Sequence, residues 1–210
     1  YECEYRVRND SGEHHWYHDR GVAEYDSAGK PVRLRGILRQ ISDRRRSDSR
    51  LEYLANYDEL TGHYNRTRLR EALDHALYYS LRYDVVGAYL VVGIDNINMV
   101  NQAFGYEVAD AVIVAIGQRL DRCLRACDMI GRVTGDRFGA VFSNCPAAEL
   151  GNAADKILEI VRDTAVDTPA GSIHVTVSVG GVVLPEAART GADAMTKADI
   201  ALQKAKRAGR

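Results

Sequence analysis

No apolar run in this chain approaches the length needed to cross a bilayer, and no charged-then-apolar leader opens it. Neither a membrane span nor a secretory address is therefore expected within it, and the module reads as cytoplasmic. Charge of one sign is not in excess either: 28 Lys+Arg oppose 29 Asp+Glu, a formal net charge of -1. With a pI near 6.7 there is no bulk attraction for nucleic acid or for an anionic membrane surface. Cysteine is sparse, at four residues, and no Cys-x-x-Cys pair occurs. Cys123 and Cys127 stand one helical turn apart, which suits half of a zinc site. With no second pair and no histidine nearby, they read as small apolar residues in a reducing compartment.

What is present is ordinary for a globular chain: 46% hydrophobic and 27% charged residues over 210 positions. That length suits one substantial domain with an appendage. The first part reads as strands. Glu2 to Arg8 alternates, Asn9-Asp10-Ser11-Gly12 is turn chemistry, and His14 to Glu24 alternates again around Trp16. A second turn at Asp26 to Pro31 leads into a third strand from Val32 to Gln40. Three strands without preceding helices do not enclose a ligand pocket. The highly charged stretch from Ser42 to Asn56, with Leu51, Leu54 and Ala55 as its apolar minority, reads as a solvated connecting helix.

From Tyr57 onward helices and strands alternate. Arg66 to Tyr83 places Leu69, Leu73 and Leu77 on one helical face, and Val85 to Ile94 is a nearly continuous apolar strand, as at the centre of a sheet. Val108 to Leu124 is an amphipathic helix. Met129 to Val133 and Phe138 to Phe142 form a hairpin tipped by Thr134-Gly135-Asp136. Ala147 to Asp163 is a helix, Ile173 to Val183 a strand and Asp193 to Arg207 a last helix. The expected fold is α+β, a central, mostly antiparallel sheet flanked by helices.

Several ordered motifs carry a family resemblance. Asp58-Glu59-Leu60-Thr61-Gly62 with Asn65-Arg66, Asn101 through Asp110, the hairpin Thr134-Gly135-Asp136-Arg137-Phe138, Val177-Ser178-Val179-Gly180, and Ala198-Asp199-Ile200-Ala201-Leu202 with Lys206 and Arg210 follow one another at the right spacing. Together they resemble the GGDEF family of diguanylate cyclases, with its nucleotidyl-cyclase-like fold. The first strands, closed by Ile41-Ser42-Asp43-Arg44-Arg45, resemble the C-terminal half of a PAS sensor domain. The resemblance implies residues 1–41 as the end of a PAS domain, 42–56 as a connecting helix, and 57–210 as a degenerate GGDEF domain that stops before its last strand.

The family joins two GTP molecules, one on each subunit of a homodimer, into cyclic di-GMP with the help of Mg2+. For this chain the resemblance implies nucleotide contacts at Asn96, Ile97, Asn98, Asn101, Asp110, Gly135, Lys206 and Arg210. An Asn amide and an Asp carboxylate can satisfy the opposite hydrogen-bonding edges of guanine, which favours Asn101 and Asp110 as its readers. Otherwise Asn101 is a surface helix residue and Asp110 caps the helix that follows. Lys206 and Arg210, four apart, either clamp a triphosphate or complement a helix end. Arg125 and Asp128 match the family's product-binding inhibitory site in position, or else terminate a helix and close a turn.

The chemical positions depart from the family. Gly93 stands where the strand-end metal-binding Asp belongs, Asn98 replaces a phosphate-touching Lys, and Arg137 replaces the hairpin's second carboxylate. Asp136 keeps the hairpin's acidic third position, and Asp95 is a weak metal candidate whose expected task is to cap the helix beginning near Asn96. No catalytic residue is expected, and Mg2+ is implied only if the chain is active. The leading expectation is a non-catalytic module that binds GTP or cyclic di-GMP, dimerises, and relays a PAS signal to an output domain such as an EAL phosphodiesterase. Alternatives are an active diguanylate cyclase and a dimerisation module without nucleotide. No nucleic-acid partner and no direct membrane contact are expected.

Overall fold

The computed structural model describes residues 1–208, apart from the Ser49 side chain, so Arg210 lies outside the described residues. The chain divides into two compact units, residues 1–54 and the remainder from Ala55 on. In the first, β1 (Glu2–Arg8), β2 (His14–Tyr25) and β3 (Pro31–Gln40) form an antiparallel sheet in that order. Both hairpin turns are made by side chains that mimic backbone. The Asn9 side-chain oxygen accepts from Glu13 N at 2.8 Å, and the Asp26 carboxylate accepts from Ala28 N and Lys30 N at 2.9 and 2.8 Å. Apolar residues of β3 such as Leu34 and Ile37 are exposed. Helix α1 (Ser42–Asn56) is fastened at its start: Ser42 Oγ accepts from Trp16 N at 2.8 Å, and the Arg45 guanidinium lies 4.0 Å over the Trp16 ring.

The second unit is built around β4 (Gly87–Ile94), every residue of which is buried. It is the third strand of a four-stranded antiparallel sheet, β5 (Met129–Thr134), β6 (Arg137–Phe142), β4 and β9 (Val177–Leu184). Strand periodicity divides the core in two. Ala88, Leu90, Val92 and Ile94 face Val112, Ile113, Ile116 and Leu120 of α4 (Tyr106–Asp121) and Ile157 and Val161 of α5 (Ala147–Arg162). Tyr89 and Val91 face Leu69, Leu73 and Leu77 of α2 (Arg66–Tyr83) and Ala194, Ala198 and Leu202 of α6 (Gly191–Arg207). Each fully buried large aliphatic side chain here is worth roughly 1.5–3 kcal/mol over an exposed one.

The α+β architecture with an antiparallel central sheet is as expected, and three details differ. The expected strand Ile173–Val183 begins only at Val177, because residues 166–173 pair with themselves as the small hairpin β7 (Val166–Thr168) and β8 (Gly171–Ile173). The hairpin tip contracts to Gly135-Asp136, since Thr134 pairs with Arg137 across a register shift. A separate helix, α3 (Ile97–Phe104), precedes α4, and Gly105 at φ 87 turns the chain between them.

Two long-range features orient the helices. The Arg119 guanidinium donates to the carbonyls of Val161, Thr164 and Ala165 at 3.4, 2.6 and 2.5 Å, supplying donors at the end of α5. Helix α6 lies so close on β9 that a Cβ at Gly180 would stand 2.2 Å from Leu202 N and 2.4 Å from Ala198 O. Gly180→Ala must push α6 off the sheet, and a loss of about 3 kcal/mol is expected in urea unfolding. Gly151→Ala, where a Cβ meets nothing within 4 Å, should leave stability unchanged or raise it by up to about 1 kcal/mol.

Candidate functional site

The end of β4 gathers the charged residues. Gly93 pairs with Arg137 of β6 on one side and with Ser178 of β9 on the other. Beyond it, Ile94 N donates to Asp136 O and Asp95 N donates to Thr176 O, both at 2.9 Å, so the hairpin tip and the start of β9 are pinned to the strand. Asp95 is only 3% exposed, and its carboxylate accepts from Thr176 Oγ1 at 2.9 Å and from Ser178 Oγ at 3.0 Å. The expectation that Asp95 caps the next helix is therefore corrected. The N-cap position of α3 is Asn96, in left-handed backbone and with no side-chain capping bond, while the Asp95 carboxylate turns inward to hydroxyls on β9 and the loop before it.

Lys206, from the last turns of α6, reaches the same place. Its Nζ lies 3.4 Å from Ile94 O, 3.6 Å from Asp136 Oδ2 and 3.8 Å from Asp95 Oδ1. It does so across the bare backbone of Gly93, where a Cβ would stand 3.0 Å from Nζ and 3.1 Å from Cε. Arg137 brings a second cation. Its Nη1 donates to Asp199 Oδ1 at 3.0 Å, and its Nε lies 3.9 Å from Asp136 Oδ1 without forming a hydrogen bond. Asp136 thus stands between an ammonium and a guanidinium.

A divalent cation would find no donor at Gly93 and the Lys206 ammonium beside Asp136 and Asp95. Magnesium needs oxygen donors at about 2.0–2.1 Å in near-octahedral array. Gly93 offers none, and among the described residues no group of three or more His, Cys, Asp or Glu is placed to hold a metal. The residues instead compensate one another: Lys206 and Arg137 against Asp95, Asp136 and Asp199.

The hairpin is braced from its other side. Arg132 Nε and Nη2 donate to Gly135 O at 3.1 and 2.8 Å, while Nη1 donates to the two Asp58 carboxylate oxygens at 3.1 and 3.3 Å. Asp58 also accepts from Thr61 N and Thr61 Oγ1 at 3.0 and 2.8 Å, closing a loop that Gly62 leaves with φ at 73. The opening motif therefore supports the hairpin tip.

The remaining predicted residues are spread around this centre. The Asn101 side-chain oxygen, on α3, is enclosed without a hydrogen-bond partner. Asp110 is exposed within α4, whose N-cap is Gly105, so the capping alternative for Asp110 is excluded. Asn96 and Asn98 are exposed and Ile97 half-buried at the start of α3. Asp128 closes the turn after α4 by accepting from Arg125 N at 2.9 Å, and the exposed Arg125 guanidinium reaches Glu149 at 3.4 Å. Lys206 is engaged by carboxylates, so a triphosphate would have to draw it away, and its expected companion Arg210 lies outside the described residues. Sequence reasoning gave no role to Asp199 or Thr176. Asp199 lies seven residues before Lys206, two helical turns along the same face, and that spacing was available as a signal. Thr176 carried none.

Comparison with known proteins identifies the family. The family model for the diguanylate cyclase GGDEF domain matches residues 55–210, and a PAS-fold model matches residues 1–38. The chain is 32% identical over 162 residues to the probable diguanylate cyclase DgcC of Escherichia coli K12, covering 77% of this chain and 43% of that protein. It is 31% identical over 172 residues to the cyclic di-GMP phosphodiesterase PdeR of the same organism, covering 81% of this chain and 25% of that one. It spans less than half the length of either. The GGDEF domain of YfiN (TpbB) from Pseudomonas aeruginosa superimposes with a TM-score of 0.70 at 28% identity, covering 73% of this chain and 90% of that one. The chain belongs to the diguanylate cyclase GGDEF domain family, with PAS-fold strands ahead of it. No helix among the described residues is long and apolar enough to cross a membrane.

The Asp58 brace has a pH signature. Burial raises the Asp58 pKa, but hydrogen bonds from Thr61 and the Arg132 guanidinium outweigh it and hold the carboxyl below the usual carboxylate range. A carboxylate depressed in the folded state adds stability above its unfolded pKa, near 3.9, and loses it as pH falls through the folded value. Asp58→Asn is expected to lower stability at neutral pH by about 2 kcal/mol. It should also make the loss of stability below about pH 4 shallower than in the parent chain, as read from urea midpoints across an acid series.

Proposed function

We propose that this GGDEF domain is a non-catalytic regulatory module of cyclic di-GMP signalling. It binds GTP or cyclic di-GMP, acts as a homodimer in the cytoplasm, and relays a signal from a PAS domain to an output domain such as an EAL phosphodiesterase. One observation carries the reading. Where the family's chemistry asks for a carboxylate to hold a metal, the chain has Gly93, and the space is taken by the ammonium of Lys206. Each 1.4 kcal/mol of lost transition-state stabilisation costs about tenfold in rate, so the loss of one metal carboxylate alone is a large handicap.

Nucleotide recognition is supported by different residues. The half-buried Asn101 carries an amide that can complement guanine, and Asp110 supplies an exposed carboxylate nearby in sequence. The backbone at Asn96, Ile97 and Asn98, at the start of α3, and at Gly135 is proposed to meet phosphate. Arg125 and Asp128 are proposed to hold cyclic di-GMP at a second place, the guanidinium on the Hoogsteen edge of guanine and the carboxylate on its N1 and N2 donors. The likeness to a protein named as a cyclic di-GMP phosphodiesterase, of which this chain matches 25%, supports an output domain of that chemistry.

Incubation with GTP and either Mg2+ or Mn2+ should yield no cyclic di-GMP by chromatography, and product formation would refute the reading. Titration calorimetry should show GTP or cyclic di-GMP binding of the same affinity with and without EDTA. Asn101→Ala should weaken GTP binding about three- to tenfold, the worth of one hydrogen bond.

A further inference from the structure

We infer that Lys206 supplies a resident cation at the end of β4, so that this part of the sheet is electrostatically complete without a divalent ion. The inference deepens the proposed function, since it rests on reading this strand end as the place where the family holds its metal. Three oxygens of the kinds a hard cation takes converge on Nζ: the carbonyl of Ile94 and the carboxylates of Asp136 and Asp95. They do so at 3.4, 3.6 and 3.8 Å, within ion-pair reach though longer than a tight charge-assisted hydrogen bond.

The packing links Gly93 to the position of Lys206. Lys206 is 18% exposed and enters through the volume above Gly93, where any side chain would begin 3.0 Å from Nζ. Gly93 therefore does more than remove a ligand; it opens the path by which the lysine arrives. Asp95, 1% exposed at its side chain, has no water to screen it, and its charge is balanced within the fold by Lys206 and the hydroxyls of Thr176 and Ser178. Arg137 closes the other side of Asp136. A carboxylate introduced at position 93 would meet the ammonium first, so Gly93→Asp alone would form an ion pair and leave the chain without a metal site.

The experiment is a Mn2+ titration of the 210-residue chain without nucleotide, with free Mn2+ read by electron paramagnetic resonance and unfolding temperature measured in parallel. The wild-type chain should retain no Mn2+ and unfold at the same temperature with or without it. Lys206→Met, which leaves two carboxylates unbalanced, should unfold a few degrees lower and recover when Mn2+ is added. Gly93→Asp with Lys206→Met should bind Mn2+ at least tenfold more tightly than either single variant. One equivalent of Mn2+ held by the wild type, whatever the variants do, would overturn the inference. So would a Lys206→Met chain whose unfolding temperature neither drops nor responds to Mn2+. If Lys206→Met does not fold, Asp136→Asn with Lys206→Met removes one unbalanced carboxylate and should fold with stability near the parent's; failure of that pair would count against the electrostatic account. GTP turnover is not read here, so a failure of this inference leaves the non-catalytic reading to its own product assay.

Discussion

A central strand buried on both faces must end somewhere, and what stands at its end decides what the domain can do. In this chain the next-to-last residue of β4, Gly93, is a glycine paired between Arg137 and Ser178, and the ammonium of Lys206 lies over it. That one close approach sets the charge of the site. It brings a cation from the last helix into a group of carboxylates drawn from the strand end and the hairpin, where it meets the guanidinium of Arg137. A buried carboxylate must be paired or hydrogen-bonded to be tolerated, and Asp95 finds Lys206, Thr176 and Ser178.

The hairpin is held from both flanks by different chemistry. On the β5 side Arg132 joins the tip carbonyl of Gly135 to Asp58, which is itself fixed by Thr61. On the β6 side Arg137 joins the hairpin to Asp199 on α6. Asp136 sits between these anchors with little freedom to swing, and the same helix carries both Asp199 and Lys206. Movement of α6 would therefore disturb the hairpin and the strand end together. The contact of α6 with Gly180 of β9 keeps that helix close enough for Lys206 to reach.

Much of this was legible in the chain. The uninterrupted apolar run of β4 announces a strand covered on both sides, and Leu69, Leu73 and Leu77 announce the helix that covers one of them. The Asn65 cap of α2 follows from local chemistry, since its side chain accepts from Arg68 N. The ordered motifs pointed to the family before any coordinates. What stayed hidden was set by partners distant in sequence. Asp95 looked like a helix cap because capping is a local preference, yet its hydroxyl partners lie more than eighty residues away. Lys206 looked like one half of a phosphate clamp because helical spacing places it on a face with Arg210. Only the packing of α6 on β9, together with the missing side chain at position 93, turns it inward. Arg119 gave no signal for the same reason, since the carbonyls it satisfies, at Val161, Thr164 and Ala165, lie more than forty residues away at and after the end of α5.

The most direct test of the account is a crystal of this chain soaked with a non-hydrolysable GTP analogue and Mn2+, examined by anomalous scattering at the manganese edge. The account predicts guanine density against Asn101, no manganese peak between Ile94 O and Asp136, and Lys206 still in place. A manganese peak coordinated by Asp136 and Asp95, with Lys206 withdrawn onto the phosphates, would contradict it.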